Sequence, residues 1–487
     1  MLRQLRSSLG RLAPLVSLTL GMVATLPAPS PARAMQPQLA ALREPQLRVL
    51  LLQGDAARLR PAAAAGLRVR DGQGRLLLEL PSDRLVQLEL DQGWLRLRAL
   101  PLAQSMASTP SALAPQPIAP ADGVTLIARE LWFEPVAAAA ATPAATPGAE
   151  LDPDPGLWLQ QRRYRGRLQV RVEAAQLQVV NHVPLETYLS SVVGSEMPAS
   201  WPLEALRAQA VAARTYALKA RKPAAIFDLQ ATTASQVYKG VEAETPSTRA
   251  AVQDTRGLVL TYEDALIDAV FHSSSGGTTE SSGQLWSRQL PYLVSVPDFD
   301  QASPVREWRQ PLDQALLLRA FPEVGGATGI EVLATTATGR VRQARVVGPS
   351  GQLLLSGAQL RSRLGLKSAW VRFELEPIEA AAVSPPLLPA GALPLTAPLP
   401  AFTLAPPPQS PPLPVLQLVA VGRGFGHGIG MSQWGALGMA RNGEGFSAIL
   451  RHYYRGTQLR PYSDLAPLAQ AGSGAAAEDP KALAVSR

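Results

Sequence analysis

The stretch that decides the fold is PLETYLSSVVGSEMPASWPLEALRAQAVAARTYALKA, residues 184–220. It contains two helix starts, because Pro184 and Pro202 each fit a first helical turn, where a missing N–H costs no hydrogen bond. Apolar residues recur at helical spacing after the first proline, and that helix is predicted to end near Gly194. The second helix is predicted to run to about Ala220. Two consecutive helices joined by a short turn therefore form the centre of the predicted fold.

The second helix has an interior made mostly of small side chains. Its N-cap is predicted to be Ser200 or Trp201. Its interior alanines are Ala205, Ala208, Ala210, Ala212, Ala213 and Ala217. Small side chains let neighbouring backbone approach closely, so this helix is predicted to be buried rather than superficial.

Strands are predicted on both sides of the helix pair. From Leu47 to Arg98 apolar and polar residues alternate, with turn residues at 71–74, as in short antiparallel strands whose arginines form the solvated face. Further strands are predicted at Arg163–Val172, Leu177–Val180, Gly257–Thr261, Ala265–His272, Val341–Gly348 and Ala369–Leu375. The chain is therefore predicted to be α+β and strand-rich, with antiparallel sheets around a buried alanine-rich helix pair.

Residues 1–34 are predicted to be a signal peptide. Three arginines precede an apolar run at Leu12–Leu26, and Ala32-Arg33-Ala34 has the small-x-small cleavage pattern. An uncleaved membrane anchor is the alternative, but the run is shorter than the roughly 20 residues that span a bilayer, and it contains Pro14. The mature protein is predicted to be exported to the periplasm or cell envelope, soluble and without a stable membrane span.

The 45 prolines of this 487-residue chain mark the predicted boundaries. They cluster in segments that lack helical or strand periodicity, which is typical of linkers. The predicted regions are a strand-rich N-terminal region 45–100, Pro/Ala-rich linkers with a short strand segment 101–156, a large domain formed by 157–378 and 415–462, a Pro-rich insert 379–414 within that domain, and a disordered tail 463–487.

Composition excludes several classes of protein. The chain has no cysteine, which rules out a disulfide framework, a thiolate metal site and a cysteine nucleophile. The net charge of +8 would suggest a nucleic-acid partner. However, residues 1–34 contain four arginines and no acidic residue, so the remaining chain carries only +4. That balance is too modest, and no nucleic-acid partner is predicted.

Glu196 is the leading candidate for catalysis. It lies in the predicted turn between the two helices, flanked by Val193, Met197 and Trp201. A carboxyl group among apolar side chains has a raised pKa, which favours a protonated general acid near neutral pH. Glycosidases generally need two carboxylates, whereas a transglycosylase that uses the sugar's own C6 hydroxyl needs one residue, first as acid and then as base. A structural carboxylate is the alternative.

Two of the four histidines, His272 and His427, lie in unusual segments, FHSSSGGTTE at 271–280 and GRGFGHGIG at 422–430. The glycine spacing matches neither the dinucleotide nor the phosphate-loop fingerprint, and it favours close approach of another backbone or of a polar ligand. Metal-ligand spacing is lacking, so neither a metal nor a cofactor is predicted. A serine triad is only weakly indicated by Ser273–Ser275, and a structural role is the alternative for each histidine.

Several of these segments together resemble the stage II sporulation protein D / amidase-enhancer family. The segments are Pro184–Leu189, Ser195–Ala217, Phe271–Glu280, Gly424–Ala436 and Ile449–Thr457. The likeness is close over 164–300 and 418–460 and looser over the strands from Leu47. The insert 379–414 departs from the family pattern.

The resemblance implies a peptidoglycan lytic transglycosylase, which cleaves glycan strands between N-acetylmuramic acid and N-acetylglucosamine and leaves a 1,6-anhydro end. It implies that the large domain is catalytic and that Glu196 is its catalytic residue. The residues it implies for the glycan groove are His272, Ser273, His427 and Gln433. Arg214 either lines the groove too or holds the two helices together. The implied partners are glycan strands, typically ones stripped of stem peptides, and a cell-wall amidase.

Two alternatives to the enzyme remain open from the sequence. One is a glycan-binding module that enhances an amidase, in which Glu196 holds sugar without turnover. The other is a purely structural envelope protein. A covalently changed glycan product distinguishes the enzyme from both.

Overall fold

The computed structural model describes residues 44–62, 66–102, 125–136, 154–377 and 416–465. The predicted signal peptide, the Pro-rich insert and most of the predicted linkers and tail lie outside these residues. All of the described residues belong to a unit that begins at Glu44. No helix within these ranges is both long enough and apolar enough to cross a bilayer.

The helices of the described ranges are α1 Leu185–Glu196, α2 Leu203–Lys219, α3 Pro246–Asp254, α4 Ser282–Leu285, α5 Gln314–Ala320, α6 Gly357–Leu364, α7 Gln433–Arg441 and α8 Phe446–Tyr453. The first twelve strands are β1 Gln46–Gly54, β2 Ala56–Pro61, β3 Leu67–Asp71, β4 Leu76–Leu80, β5 Arg84–Asp91, β6 Trp94–Pro101, β7 Thr125–Ala128, β8 Glu130–Pro135, β9 Leu157–Leu159, β10 Arg162–Tyr164, β11 Arg167–Glu173 and β12 Gln176–Pro184. The remaining strands are β13 Leu229–Gln230, β14 Leu258–Tyr262, β15 Ala265–Leu266, β16 Phe271–His272, β17 Glu307–Leu312, β18 Gly329–Thr335, β19 Val341–Gly348, β20 Gly351–Ser356, β21 Val371–Pro377, β22 Leu416–Arg423, β23 Met431–Ser432 and β24 Gln458–Pro461.

Two large sheets carry the strands that precede the helix pair. One has the order β13-β1-β12-β11-β8-β3-β4 and the other β10-β9-β2-β5-β6-β7. Every strand pair in them is antiparallel except β1 with β13. β1 pairs with β12 and β2 with β9, so strands from before residue 62 and after residue 156 share both sheets. The predicted α+β class is confirmed.

Alternation along the strands builds the core of these sheets. In β6, Leu95 and Leu97 are fully buried while Arg98 is exposed, as the period of two requires. Each buried leucine contributes roughly 1.5–3 kcal/mol relative to an exposed one. The inner faces of both sheets, α1 and α2 share one hydrophobic core, which fixes the helix pair against the sheets.

The buried alanine-rich helix is confirmed, but its predicted start is wrong. All six interior alanines of α2 are fully buried. The N-cap is Pro202, with φ −51° and ψ 139°, and neither Ser200 nor Trp201 occupies it. Pro184 likewise caps α1, with φ −59° and ψ 143°. The φ that the proline ring imposes suits an extended cap as well as a first helical residue. α1 therefore begins one residue later than predicted, and α2 begins one residue later than a Trp201 cap implies and two later than a Ser200 cap implies.

α1 also runs past its predicted end. It continues through Gly194 to Glu196, so Glu196 is the last helical residue rather than a turn residue. A Cβ at position 194 would overlap the carbonyl oxygen of Ala243. Gly194 is therefore explained by close packing against that backbone, not by helix termination.

The predicted strand 265–272 is replaced by two short pieces. β15 pairs with β14, whereas β16 pairs in parallel with β23, far along the chain. The four residues between the two pieces, 267–270, include buried Ile267 and Ala269 but belong to no strand, which periodicity does not reveal.

A second hydrophobic core lies within the later part of the chain. It is formed by the three-stranded sheets β17-β22-β21 and β18-β19-β20 together with α5 and α6. β21 and β22 pair antiparallel, with Pro377 opposite Leu416. The chain therefore leaves this sheet and returns to it at adjacent positions.

Candidate functional site

The Glu196 carboxylate is held at the C-terminal end of α1 by two donors. The backbone N–H of Val237 donates to Oε1 at 2.8 Å, and Nε2 of Gln433 donates to Oε2 at 3.2 Å. The side chain is half-buried, so it remains within reach of a ligand from solvent. Neither of these two partners is charged.

Opposing effects set the pKa of Glu196. Burial raises the pKa above the usual range of a glutamate and is the largest effect. The hydrogen bonds from Val237 and Gln433, and the positive charge of Lys239, act in the opposite direction without cancelling it. The group therefore keeps its proton to a higher pH than an exposed glutamate does, which suits a general acid.

Gln433 reaches Glu196 because α7 begins directly after β23. The hydroxyl of Ser432 accepts a hydrogen bond from the N–H of Gly435 at 3.1 Å and caps the helix. In the β16–β23 pair, His272 lies opposite Ser432. The carbonyl of Ser273 then accepts from the N–H of Trp434 at 3.0 Å. This pairing brings His272 and Ser273 to the start of α7, where Gln433 bonds to Glu196.

His272 is neutral and keeps one ring nitrogen free of protein contacts. Its Nδ1 donates to the carbonyl oxygen of Ile429 at 3.1 Å, so Nε2 carries the lone pair. Nε2 is buried and has no hydrogen-bond partner among the described residues. Burial, with the charge of Arg340, lowers the pKa of His272 to about 3. The ring is therefore an acceptor at neutral pH.

His427 is bonded at both ring nitrogens. Nδ1 accepts from the N–H of Ile429 at 3.0 Å, and Nε2 donates to the carbonyl of Phe271 at 3.0 Å. Its ring centroid is 5.3 Å from that of His272. Burial holds the pKa of His427 well below its usual range. His427 thus ties the glycine-rich loop to β16 as a neutral side chain.

The alternating glycines let this loop lie directly on the histidine strand. At Gly426 φ is +121°, and a Cβ there would lie 2.6 Å from Cβ of His272. Of the two roles that the sequence favoured for these glycines, close approach of backbone is the one that the contacts match.

Arg214 is fully buried, and none of its hydrogen-bond partners among the described residues is Glu196 or a residue of the histidine segments. Its Nη2 pairs with Oε2 of Glu186 at 2.6 Å and its Nε with Oε1 at 2.9 Å. It also donates to the carbonyls of Val252 and Leu258, each at 3.2 Å. These bonds join α1, α2, α3 and β14, so they match the second alternative, a residue that holds the helices together.

The sequence gives no sign of one residue at the site, and it contains several aromatic residues there to which no role was assigned. The N–H of Val237 acts through backbone, so no residue type reveals it. Trp201 and Trp434 pack edge to face with ring centroids 4.9 Å apart; each lies within a segment already singled out, but their contact was not predicted. Phe425 is 44% exposed among the glycines, which is unusual for an aromatic side chain. Among the described residues, no three His, Asp or Glu side chains cluster as a metal site needs.

The chain is similar to proteins of the stage II sporulation protein and amidase-enhancer type. A family model described as "Stage II sporulation protein" matches residues 173–262. The amidase enhancer of Bacillus subtilis (strain 168) is 32% identical over 302 residues, which is 56% of this chain but only 40% of that protein. Stage II sporulation protein D of the same strain is 32% identical over 312 residues, 58% of this chain and 76% of that protein. The protein of the same name from Bacillus amyloliquefaciens is 32% identical over 309 residues, 58% of this chain and 75% of that protein.

Proposed function

Because this chain belongs to the stage II sporulation protein D family, we propose that it is a peptidoglycan lytic transglycosylase. The observation that carries the proposal is the carboxyl of the half-buried residue Glu196, with its raised pKa and its two neutral hydrogen-bond donors. Such a group keeps its proton to a higher pH than an exposed glutamate does, and it is a base once that proton has gone. The names of the relatives, an amidase enhancer and sporulation proteins, favour a role in the cell wall.

The proposed reaction uses Glu196 twice. The carboxylic acid gives its proton to the O4 oxygen of N-acetylglucosamine while the bond from that oxygen to C1 of N-acetylmuramic acid breaks. The carboxylate then takes the proton of the C6 hydroxyl on the same muramic acid, and O6 bonds to C1. The products are a 1,6-anhydro end and a free C4 hydroxyl. No water is consumed, and Glu196 ends the cycle protonated.

The neighbouring residues have separate proposed roles. Nε2 of His272, a buried acceptor without a partner among the described residues, accepts from a sugar hydroxyl or acetamido N–H. Ser273 is half-buried beside it and supplies a hydroxyl to the same groove. Gln433 steadies the carboxylate, and His427 fixes the backbone of β16.

The test is the covalent state of the glycan product. Purified protein is incubated with glycan strands stripped of stem peptides, and the fragments are weighed by mass spectrometry. We expect 1,6-anhydro ends, since hydrolysis would add a water that transglycosylation does not. Glu196→Gln should lower cleavage by about 10²–10⁴-fold, the usual contribution of a general acid–base residue, with an unchanged unfolding midpoint. Strands left intact by the wild-type protein would contradict the proposal.

A second function is favoured by one observation, the 32% identity to an amidase enhancer. In it the chain binds glycan and stimulates a cell-wall amidase without cleaving the strand. The two proposals differ in the response to Glu196→Gln. If wild type and variant stimulate the amidase equally and neither shortens strands, the protein is a binding module.

We also propose that the protein is exported and works in the periplasm or cell envelope. The support is the predicted signal peptide at residues 1–34, with its basic start and its Ala32-Arg33-Ala34 cleavage pattern. N-terminal sequencing of the mature protein tests this, and the expected first residue is Met35. A mature chain that still begins at Met1 and stays with the membrane fraction would support the anchor instead.

A further inference from the structure

A cavity of about 300 Å³ lies beside the C-terminal end of α1. Its lining residues are Gln161, Arg162, Gly194, Lys239, Glu242 and Ala243. They come from the β9–β10 turn, from β10, from α1 and from the segment around residues 239–243. None of them belongs to the groove residues that the sequence indicated.

The cavity is joined to Glu196 by a short stretch of backbone. Val237 donates its N–H to the Glu196 carboxylate, and two residues later Lys239 donates its N–H to Oγ of Ser195 at 3.2 Å. The segment 237–239 therefore both holds the Glu196 carboxylate, through Val237, and lines the cavity, through Lys239. Lys239 is also close enough for its charge to affect the pKa of Glu196.

The charges in the cavity favour an anion. The lining contains two cations, Arg162 and Lys239, both with exposed side chains, and one carboxylate, Glu242. That carboxylate is occupied by Arg163, whose Nε lies 3.3 Å from Oε1 and whose backbone N–H donates to Oε2 at 3.1 Å. Glu242 is therefore neutralised from outside the cavity. The Arg162 side chain also bonds to the hydroxyl of Tyr164, which is a neutral group, so both lining cations keep their positive charge for a ligand.

We propose that this cavity is a subsite for a carboxylate that the glycan carries next to the bond broken at Glu196. The proposal rests on the proposed function. N-acetylmuramic acid has a lactyl ether at C3, two ring carbons from the C1 atom that reacts. Its carboxyl group is either free or joined to a stem peptide, which brings carboxylates of its own. A guanidinium and an ammonium beside each other bind either kind of carboxylate through charge-assisted hydrogen bonds.

The subsite is tested by binding rather than by turnover. Lys239→Gln and Arg162→Gln are each placed in the Glu196→Gln protein, where neither cleavage nor the pKa of Glu196 can affect the result. Lys222→Gln, which removes an exposed lysine outside the cavity, is the matched control for net charge. Three muramic-acid oligosaccharides serve as probes: one with a free lactyl carboxylate, one with that group converted to its methyl amide, and one bearing a stem peptide.

We expect each cavity variant to weaken binding of at least one carboxylate probe by about tenfold, which corresponds to about 1.4 kcal/mol, and to leave the methyl amide unaffected. Loss confined to the free lactyl probe identifies the lactyl group as the ligand, and loss confined to the third probe identifies the stem peptide. The inference is overturned if both variants bind all three probes like the Lys222→Gln control. It is also overturned if binding of the amide falls equally.

Failure of this inference is separable from failure of the proposed function. If the wild-type protein produces no 1,6-anhydro ends, the enzyme proposal fails whatever the cavity binds. If the ends form but the cavity variants bind normally, only the subsite fails. The unfolding midpoint of each variant, measured by circular dichroism, is the control for the fold, and we expect it to match that of the Glu196→Gln protein.

Discussion

The protonation state of Glu196 depends on a balance between burial and hydrogen bonding. Burial destabilises the carboxylate, while Val237, Gln433 and Lys239 stabilise it, and the net effect is a raised pKa. Below that pKa the residue is an acid. As the pH rises through it, the proton needed by the leaving oxygen is lost, so cleavage should decline on the alkaline side.

Gln433→Leu should move this alkaline limb to higher pH. The substitution removes a donor that favours the charged form, so the pKa of Glu196 rises and the acid persists further. The measurement is the pH profile of kcat/KM on stripped glycan, because the position of the limb is independent of any loss in rate. Lys239→Gln should shift the limb in the same direction through loss of a positive charge. A limb that moves to lower pH would contradict the assignment of Glu196 as the acid.

Residue-scale reasoning from sequence could find Glu196, since apolar neighbours imply a raised pKa. It could not find the hydrogen bonds that oppose the shift. Val237 contributes its backbone, and Gln433, which only the family resemblance indicated, is distant in the chain, so neither contact leaves a local pattern. The same holds for His427, whose two ring contacts are to backbone atoms.

Among the secondary-structure elements, α1, α2 and α3 are locked together by a buried ion pair. Arg214 and Glu186 are both fully enclosed, and the guanidinium also serves two carbonyl groups. Such a pair is strongly destabilising to break, because the partner left behind is a buried, unpaired charge. Its role in this protein is to fix the helix that ends in Glu196.

Arg214→Met should lower the free energy of unfolding by about 3–5 kcal/mol, the usual cost of leaving a buried charge unpaired. Urea denaturation followed by circular dichroism measures it. The control is Arg207→Met on the same helix, since Arg207 pairs with Asp254 and Glu204 at the surface and its loss should cost about 1 kcal/mol or less. Equal costs for the two variants would show that the buried pair has no special role.

Gly426→Ala should disrupt the contact between the glycine-rich loop and β16. The new Cβ meets Cβ of His272 and also forces an unfavourable φ of +121°. Gly443→Ala is the control, because φ is +89° there but nothing lies within 4 Å, so only the backbone strain of about 1–2 kcal/mol remains. We expect Gly426→Ala to lower glycan cleavage and the unfolding midpoint more than the control does. Matching losses would mean that the loop adapts without moving His272.

Element prediction worked where a pattern is local and failed where a partner is distant. The alternating leucines located β6 and the run of alanines located α2, because each pattern lies within one element and marks the residues of that element that are buried. The helix starts were misplaced by one or two residues because proline geometry fits a cap as well as the first turn. The strand 265–272 was divided because its last two residues pair with β23, more than 150 residues later in the chain.

For the whole molecule, Arg340 connects the second core to the candidate site. It lies just before β19, is 2% exposed, and donates to the carbonyls of Ser275 and Thr278 at 2.9 and 3.0 Å. Those carbonyls belong to the segment that follows His272. Burial lowers the pKa of Arg340 to about 10, so it remains charged at neutral pH. The second core therefore supports the histidine segment through a permanent cation.

Residues 378–415, which include the predicted Pro-rich insert, should be dispensable for folding. Pro377 and Leu416 are paired across β21 and β22, so a short Gly-Asn turn can join them without moving either strand. Replacing 378–415 by such a turn is expected to leave the unfolding midpoint unchanged. The rate at which isolated glycan strands are cleaved should stay within about twofold of the wild-type rate. A protein that folds but cannot cleave would instead give the insert a part in the reaction.

The bond between Gln433 and Glu196 joins residues 237 positions apart. A truncated chain that ends before β23 and α7 still contains Glu196. It lacks the hydrogen bond from Gln433 to the Glu196 carboxylate, and it lacks the strand β23 that pairs with His272. For a protein proposed to cut the cell's own wall, a fragment that ends before β23 and α7 is therefore expected to lack that activity.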